Sequence, residues 1–291
     1  MHDEDMDAAL DEAHLRQWLG REEETEDEVT AFPPRALKAT LEAPYAGECG
    51  PGEPLPPLWH WLYFLPLHAR SALGEDGHAR KGGFLPPVPL PRRMWAGGRF
   101  DFVEPLRVGE RIRKRSTITA IDLKHGRSGA LAFVTVRHEI SANGAPRLVE
   151  EHDIVYREAP RPDAPALAPT PAPQGPWQRR ITPDDVLLFR YSALTFNGHR
   201  IHYDRRYVTG VEGYPGLVVH GPLIATLLLD LLQREQPGAR LSGFRFRALR
   251  PTFDTAPFFV HGEPAADGRT VRLWASDAEG WLTMDATATL A

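Results

Sequence analysis

The sequence contains very little cysteine, since Cys49 is the one cysteine among 291 residues. No intramolecular disulfide can form, which favours a reducing compartment and predicts that Cys49 is an inert loop residue. The amino terminus is acidic where a secretory signal is basic. The most apolar run, LIATLLLDLL from Leu223, is too short to span a bilayer and contains Asp230. These absences predict a cytoplasmic protein.

An excess of positive charge is also missing. The 34 basic residues are outnumbered by 39 acidic ones, and the formal net charge of −5 does not indicate a nucleic-acid-binding surface. No glycine-rich phosphate loop and no cluster with metal-ligand spacing is visible, so neither a metal nor a redox cofactor is expected. The apolar content of 42% is ordinary for a globular protein, and the length suits two domains or one large one.

Proline marks the main division of the chain. Residues 157–176 read REAPRPDAPALAPTPAPQGP, without apolar periodicity, which predicts an extended and semi-rigid linker. Residues 1–29 are rich in Glu and Asp and are predicted to form a solvated tail with one short helix over 8–19. The predicted domains therefore cover residues 30–156 and 177–291.

The two predicted domains repeat one plan. Each begins with a helix-start signal, TAFPPRALKATL from Thr30 and TPDD from Thr182, where Thr182 is the expected N-cap. An aromatic strand follows in each, beginning at Gly98 and at Gly243, and three alternating segments come after it. Asn-Gly, Asp-Gly and Glu-Gly pairs separate several of these segments, as expected for hairpin turns. Both halves are predicted to be antiparallel meanders.

The two halves differ in their helices. Residues 221–233, GPLIATLLLDLLQ, are apolar on nearly every side, which is typical of a helix wrapped by a sheet. At the corresponding place the first half has GFLPPVPLPRRMWAGG from Gly83, whose four prolines forbid a continuous helix. A helix is predicted earlier, over LWHWLYFLPLHARSAL from Leu58. Helices on one face of an antiparallel sheet define an α+β fold.

The segment RYSALTFNGHRIHYD, residues 190–204, combines histidines, an amide and apolar residues. The residues Tyr191 to His202 resemble the signature of the MaoC-like R-specific enoyl-thioester hydratases. They are most similar to type 2 hydroxyacyl-thioester dehydratases and to mesaconyl-C4-CoA or itaconyl-CoA hydratases. FLPPVPLPRRMWAGG and GLVVHGPL resemble the same subgroup, and the resemblance covers most of residues 30–291. It implies a double hot-dog fold, in which the C-terminal repeat wraps a long helix and the N-terminal repeat has a degraded one.

The resemblance also implies roles for three residues. His202 falls on the family's catalytic histidine, and Asn197 stands where the family has a catalytic aspartate, which is a departure. Histidine has a suitable pKa for activating water. Asn197 is expected to orient that water, but an amide cannot act as an acid or a base. Gly221 opens a helix whose free N–H groups are expected to stabilise the negative charge that develops on the thioester oxygen.

A second set of side chains is predicted to bind the substrate. Arg92 and Arg93, beside Trp95, are expected to stack on the adenine of coenzyme A or to pair with a substrate carboxylate, and nearby arginines to clamp its phosphates. For His220 two interpretations stay open, lining the pocket or capping the helix, and His199 is equally open to a structural role. The predicted substrate-binding residues are Tyr191, His199, Arg200, His220, Arg92, Arg93 and Trp95.

The predicted function is reversible addition of water to an α,β-unsaturated acyl-CoA. A C4–C5 dicarboxylic acyl group, such as mesaconyl or itaconyl, is the expected substrate, and the proline-rich part of the first half is expected to open a groove for it. The coenzyme A thioester is the substrate, and no cofactor, nucleic acid or membrane is expected. The chain is predicted to be a monomeric double hot-dog or a homodimer. The alternatives are an acyl-CoA thioesterase and a non-catalytic acyl-CoA-binding protein on the same fold.

Overall fold

The computed structural model describes residues 10–126, 129–158 and 168–291. The α-helices in these ranges are α1 (Glu12–Leu15), α2 (Phe32–Leu41), α3 (Asp185–Leu194), α4 (Arg205–Gly210) and α5 (Gly221–Glu235). The strands are β1 (Glu22–Glu28), β2 (Arg92–Phe102), β3 (Arg111–Gly126), β4 (Gly129–Ala142), β5 (Ala145–Arg157), β6 (Trp177–Ile181), β7 (Leu241–Ala248), β8 (Phe258–Pro264), β9 (Thr270–Ser276) and β10 (Leu282–Leu290). No helix in the described ranges is long and apolar enough to cross a membrane.

All of these strands join one antiparallel sheet in the order β1-β3-β4-β5-β2-β7-β10-β9-β8-β6. The first five strands in this order come from the first half of the chain, and the other five come from the second half. Hairpins connect β3 to β4, β4 to β5 and β9 to β10, and Asn143 and Gly144 both take the positive φ values that a tight turn requires. The α+β class and the two meanders are therefore confirmed.

The two halves meet where the aromatic strands β2 and β7 pair with each other. Phe100 lies opposite Phe244, and Gly98 lies opposite Phe246. The rings of Phe100 and Phe246 are stacked with centroids 6.2 Å apart. A Cβ atom on Gly97 would lie 2.6 Å from the carbonyl oxygen of Phe246, so the strands approach this closely only because the residue is glycine.

Strand β2 begins at Arg92, before the predicted start at Gly98. A shift of register between Trp95 and Gly97 lets the strand continue along β5, so part of the proline-rich segment is extended backbone within the sheet. Val88 and Leu90, just before the strand, are buried against β3, β4 and β5. The predicted groove is therefore filled at this point by the side chains of the segment itself.

Helix α5 lies in the centre of the larger apolar core, as predicted. Its leucines 223, 227, 228 and 231 are almost completely inaccessible. Asp230 is also buried, and it accepts hydrogen bonds from Arg234 at 2.8 Å, from the Tyr45 hydroxyl at 2.9 Å and from Arg179. A carboxylate is tolerated at this depth because its charge is paired and its oxygens are hydrogen-bonded.

The first half does not form the helix predicted from Leu58. Only a short 3-10 turn, Trp59–Leu62, is present there. Leu58 and Phe64 adopt left-handed conformations, with φ of 69° and 55°, which interrupt a helix on both sides of this turn. Trp59 and Leu62 are nevertheless buried, so the aromatic run contributes to the core without being helical.

The acidic stretch before the first domain is also ordered in part. Residues Glu22–Glu28 form the edge strand β1, which pairs with β3, whereas the sequence predicted a solvated tail. Basic residues of β3 supply the partners: Arg113 contacts Glu26 and Arg115 contacts Glu22, each at 2.7 Å. Cross-strand pairs of opposite charge favour this pairing.

Two smaller predictions are corrected at the boundary between the halves. The N-cap of α3 is Asp184, which accepts a hydrogen bond from the Leu187 N–H, and not Thr182. Of the predicted linker, Arg157 ends β5, and residues 159–167 lie outside the described ranges. The rest is held against the sheet, since the Ala172 N–H donates to the Gly280 carbonyl at 2.8 Å and Trp274 donates to the Pro173 carbonyl at 3.0 Å.

Replacing Leu227 with Asp should destabilise the protein by about 3 kcal/mol or more, because the carboxylate would be buried without a partner. Leu227 is 2% exposed. The free energy of unfolding from chemical denaturation measures the effect. Val186→Asp is the matched control, since Val186 lies in the first turn of α3 and is 59% exposed. Equal stability of the two variants would show that α5 does not lie in the core.

Candidate active site

The histidine-rich segment forms a turn between α3 and α4. Helix α3 ends at Leu194, and Phe196 takes a left-handed conformation with φ of 50°. The Asn197 N–H then donates to the Ser192 carbonyl at 2.8 Å. The side-chain oxygen of Asn197 accepts the His199 N–H at 3.0 Å, which fixes the start of the following 3-10 turn. Asn197 thus has a demonstrable local role in shaping the segment.

His202 is buried at the end of this turn with a defined tautomer. Its Nδ1 lies 2.7 Å from the Val218 carbonyl oxygen. A carbonyl can only accept, so Nδ1 carries the proton and Nε2 keeps its lone pair. Burial lowers the pKa of His202 to about 4, and the hydrogen bond to Val218 only partly opposes this. His202 is therefore a neutral base at neutral pH.

His220 lies directly behind His202. The two rings are stacked, with centroids 3.8 Å apart and an interplanar angle of 19°. His220 is fully buried, its Nε2 is 2.8 Å from the Ser192 hydroxyl, and the Tyr191 ring packs edge-on against it. Its side chain makes no capping hydrogen bond to α5. Of the two interpretations left open by the sequence, capping is wrong. His220 packs against the His202 ring, and Tyr191 packs against His220.

Helix α5 begins beside these rings. Gly221 is its first residue and Pro222 the second. The first N–H groups of a helix have no partner within the helix, and they carry its positive dipole end. A Cβ atom on Gly221 would meet no atom within 4 Å, so the space above this backbone is open. An oxygen that develops negative charge can be stabilised at such a position.

A loop of the first half, residues 74–80, reaches the same place. Gly77 touches Gly198 so closely that a Cβ atom on Gly77 would lie 1.9 Å from the Gly198 carbonyl oxygen. The Arg200 N–H also donates to the Asp76 carbonyl at 2.9 Å. This contact brings Asp76 and His78 to the histidine segment, and sequence reasoning missed both. The short polar stretch GEDGHAR, residues 74–80, was the available signal, and it directly follows the stretch 58–73 that was predicted to be helical.

Asp76, His78 and His199 form one cluster. The Nδ1 atom of His78 is 3.0 Å from the Asp76 carboxylate. The rings of His78 and His199 are 4.0 Å apart, and His199 lies edge-on to His202 at 5.4 Å. One donor atom from each of the three residues lies within 4.8 Å of the others, a set whose chemistry suits a divalent cation. This cluster was not predicted, because His199 lies far along the chain from Asp76 and His78.

Two of the predicted substrate-binding arginines are engaged in the fold. Arg92 donates to the Tyr214 hydroxyl and to the Glu212 carbonyl, both at 2.9 Å. Arg200 contacts the Asp204 carboxylate at 2.8 Å and the Glu75 carbonyl at 3.0 Å. These guanidinium groups connect the two halves, and their predicted contact with the substrate stays a prediction.

Arg93 and Trp95 differ from these two arginines. Arg93 is half-buried, and among the described residues no carboxylate lies within ion-pair distance of it. Burial lowers the pKa of His199 to about 2, and the nearby positive charge of Arg93 adds to this. Trp95 packs against Trp61, with ring centroids 4.9 Å apart, and against His152, at 3.9 Å. Arg93 therefore lies near the histidine cluster, whereas Trp95 packs among aromatic rings of the sheet.

The inner face of the first-half sheet carries a buried polar row beside Trp95. Glu150 lies opposite His138, and it accepts hydrogen bonds from His60 at 3.0 Å and from Trp61 at 3.2 Å. Burial raises the pKa of Glu150, but the hydrogen bond from His60 and the nearby imidazoles of His60, His138 and His152 together outweigh this effect and lower the value to about 2. Burial lowers the pKa of His138 to about 4 and that of His152 to about 3. An ionised Glu150 beside the neutral imidazoles of His138 and His152 thus lines this face.

Two antiparallel meanders joined in one sheet beside α5 form a double hot-dog fold, and the histidine turn at the start of α5 is the candidate site of a thioester hydratase or dehydratase. The model of the family "Hydroxyacyl-thioester dehydratase type 2" matches residues 58–254. The chain belongs to this family, and it is an enzyme of the hydro-lyase class.

Relatives and solved structures agree with this assignment. The chain is 48% identical over 285 residues to a mesaconyl-C(4)-CoA hydratase of Chloroflexus aurantiacus, covering 97% of this chain and 99% of that protein. A solved MaoC-like dehydratase superposes with a TM-score of 0.70 at 14% identity, covering 95% of this chain and 99% of the other. A Mycobacterium tuberculosis protein with a double hot-dog fold gives a TM-score of 0.58 at 14% identity, covering 94% and 96%. The predicted double hot-dog is confirmed.

The buried histidines make stability depend on pH in a defined direction. His138, His152, His199 and His202 all have pKa values lowered to about 4 or below, whereas an exposed histidine titrates near 6.5. The unfolded chain therefore binds protons that the folded protein does not. Stability should be fully present above pH of about 6.5 and should fall as the pH drops from there through about 4.

The melting temperature tests this expectation when it is measured from about pH 7.5 to about pH 4.5. This range covers most of the window set by these pKa values. His138→Gln removes one such group and should make the decline shallower. The exposed His68 is the matched control, and His68→Gln should leave the slope unchanged. A melting temperature that rises toward acid pH would contradict the neutral state of these histidines.

Proposed function

We propose that this enzyme adds water reversibly to an α,β-unsaturated acyl-CoA with a free carboxylate, as in mesaconyl-C4-CoA. The observation that carries the proposal is the arrangement of His202 and α5. The Nε2 lone pair of His202 is free because Nδ1 donates to Val218, and the open helix start at Gly221 lies next in the chain to the stacked His220. The 48% identity to a mesaconyl-C(4)-CoA hydratase supports the acyl group.

The proposed mechanism divides the work between these two groups. His202 Nε2 takes a proton from water as the water oxygen bonds to the β-carbon. The electrons of the double bond move toward the thioester carbonyl, whose oxygen is stabilised by the N–H groups at the start of α5. Asn197 helps to orient the water through its amide group, while its side-chain oxygen also holds the His199 N–H.

The substrate carboxylate is assigned to Arg93. In mesaconyl-C4-CoA the carbon that receives water also carries the carboxylate, so the recognising cation must lie close to the reacting atoms. Arg93 is half-buried near His78 and His199, and it lacks a carboxylate partner among the described residues. An arginine can bind a carboxylate through two parallel hydrogen bonds. Trp95 and His199 are proposed to line the acyl pocket beside it.

The first-half domain, residues 30–156, is proposed to shape this pocket, and residues 177–291 to carry the base and the helix N-terminus. Addition of water changes no overall oxidation state, so the proposed reaction needs no redox cofactor. A cytoplasmic location is supported by the single, buried Cys49. The functional form is proposed to be the single chain or a homodimer of it.

A panel of CoA esters tests the function directly. Crotonyl-CoA, mesaconyl-C4-CoA and itaconyl-CoA are incubated with the protein, and the absorbance of the conjugated thioester and the free thiol are followed together. Loss of enoyl absorbance without thiol release supports a hydratase. Release of free thiol indicates the thioesterase alternative. Binding without either signal indicates a non-catalytic acyl-CoA-binding protein.

Replacing His202 with Ala should lower kcat by roughly 10²–10⁴, the usual contribution of a general base. Asn197→Ala should lower it less, because the amide orients water and transfers no proton. Hydration of the best ester from the panel gives kcat, and equilibrium binding of the ester is measured separately. The control is His261→Gln. His261 is a buried histidine of β8 that contacts the Ser276 hydroxyl of β9 and is not part of this segment. Parental turnover by His202→Ala would disprove the role of the base.

Replacing Arg93 with Gln should impair hydration of mesaconyl-C4-CoA much more than hydration of crotonyl-CoA, which lacks the carboxylate. Loss of a hydrogen-bonded charge pair at a binding site costs about 2–5 kcal/mol, so kcat/KM for the dicarboxylic ester should fall at least tenfold. Arg99 on the same strand forms exposed ion pairs with Glu151 and Asp153, and Arg99→Gln is the control. An equal loss on both esters would indicate that Arg93 has only a structural role.

A further inference from the structure

We propose that Asp76, His78 and His199 bind a divalent cation of the zinc type, and that this ion cross-links the loop of residues 74–80 to the histidine segment. The loop belongs to the first half of the chain and the segment to the second, so the ion joins the two halves beside the candidate active site. Binding of the ion is a property of the folded chain, and it does not depend on the proposed hydration.

The three side chains offer the types of donor atom that zinc prefers. One carboxylate oxygen and two imidazole nitrogens lie within 4.8 Å of one another. Zinc binds two histidines and one carboxylate in some proteins, with a further position left open to water. Calcium and magnesium take oxygen ligands, so the two imidazoles select against these ions. The set therefore suits a late first-row divalent ion, of which Zn²⁺ is the representative without redox chemistry.

Asp76 and His78 already form one edge of such a site. The Nδ1 atom of His78 is 3.0 Å from a carboxylate oxygen of Asp76. Two donors bound to a tetrahedral ion at about 2.1 Å lie roughly 3.4 Å apart, so this pair needs little movement to admit an ion between its atoms. The ion takes the place of the proton that now joins the two atoms. That proton passes to solvent and Nε2 of His78 takes one up, so the imidazole remains neutral.

His199 supplies the third donor. Its ring lies 4.0 Å from the His78 ring, measured between centroids. Neither ring nitrogen of His199 has a hydrogen-bond partner among the described residues, whereas its backbone N–H donates to the Asn197 side chain at 3.0 Å. A neutral imidazole keeps a lone pair on one of its nitrogens. The His199 ring is therefore available to a cation, and rotation about its side-chain bonds closes the remaining distance.

The backbone on both sides of the site is held in place before an ion binds. A Cβ atom on Gly77 would lie 1.9 Å from the Gly198 carbonyl oxygen, so the loop and the segment touch through two glycines. The Arg200 N–H donates to the Asp76 carbonyl at 2.9 Å, and the Arg200 guanidinium donates to the Glu75 carbonyl at 3.0 Å. Ligands carried by backbones that are already fixed lose less conformational entropy on binding, which favours affinity.

Two cationic side chains lie near these ligands and limit the affinity. The charge of Arg93 acts on the imidazoles of His78 and His199, and the charge of Lys81 interacts with Asp76. Because only one of the three ligands is anionic, the bound ion keeps a net positive charge. Repulsion from Arg93 therefore opposes binding at this position. An ion bound in a distant part of the chain would be insensitive to Arg93.

Titration of chelator-treated protein with Zn²⁺ tests the site. The parent should bind Zn²⁺, and its melting temperature should rise by about 5 °C or more when free Zn²⁺ is about a hundred times the dissociation constant. Mg²⁺ in large excess should not compete, because two of the ligands are nitrogens. Co²⁺ should replace Zn²⁺ and show a visible spectrum of mixed nitrogen and oxygen ligands.

Replacing any of the three ligands should weaken the binding of Zn²⁺. Asp76→Asn, His78→Gln and His199→Gln should each lower the affinity by about a hundredfold or more, since loss of a partner outside the direct ligands already costs about 10–100-fold. Glu75 and His68 are exposed. Glu75→Gln and His68→Gln are therefore the matched controls, and they should bind Zn²⁺ as the parent does.

Replacing Arg93 with Gln should have the opposite effect. The variant loses a like charge near the ion, so it should bind Zn²⁺ severalfold more tightly than the parent. Arg99 lies on the same strand and forms ion pairs with Glu151 and Asp153. Arg99→Gln is the control, and it should leave the affinity unchanged. This comparison and the Co²⁺ spectrum of the parent keep the test decisive if a ligand variant fails to fold.

Three results would overturn the site. The first is a parent protein that binds neither Zn²⁺ nor Co²⁺. The second is parental affinity for Zn²⁺ in the three ligand variants, with thermal unfolding showing that they are folded. The third is displacement of Zn²⁺ by excess Mg²⁺ together with no effect of Arg93→Gln, which would place the ion among oxygen ligands in another part of the chain.

Discussion

The pairing of β2 with β7 is the contact on which the arrangement of this protein depends. It fuses two meanders into one sheet, and it places the inner face of the first half beside α5 of the second. The pairing needs close approach of two backbones, which Gly97 allows and a larger residue would prevent. Phenylalanines from both strands then form a shared core layer. Without this junction, the loop that carries Asp76 and the turn that carries His202 would belong to separate bodies.

The site uses burial to keep histidines neutral. Imidazoles at His138, His152, His199 and His202 lose water contacts without gaining a carboxylate of their own, so their pKa values fall far below the ordinary range. The cost is a fold that weakens in acid, because the unfolded chain takes up the protons. Functional sites commonly carry such perturbed groups, since a neutral base must be ready at neutral pH.

Features with local signals were predicted well from the sequence. The apolar run of α5, the alternating strands and the turn pairs have periods that are visible within a dozen residues, and each forms as expected. The twelve-residue motif likewise located His202. The helix expected from Leu58 failed because two residues of that stretch adopt left-handed conformations, which apolar periodicity does not reveal. β1 was missed because its stability comes from the arginines of β3, which are distant in sequence.

The least predictable part of the site was the set of side chains that meet only in the folded protein. His78 and His199 are separated by more than a hundred residues, and their contact depends on two glycines that look like ordinary loop residues. The sequence alone does not distinguish the roles of Arg92, Arg93 and Arg200. Only the partners show that Arg92 and Arg200 hold the fold together while Arg93 has no carboxylate of its own among the described residues. Charge alone therefore did not separate structural arginines from one suited to a ligand.

The unequal halves have a consequence for stoichiometry. Helices α2 and α3 begin the two halves, but no histidine follows α2 within the next eighteen residues, and His60 is then bonded to Glu150. The histidine segment of the second half therefore has no counterpart after α2. On the proposed function, one chain carries a single thioester site among its described residues, with the second half as the reacting side and the first half as its wall. On the same proposal, association of two chains would double the number of such sites per particle.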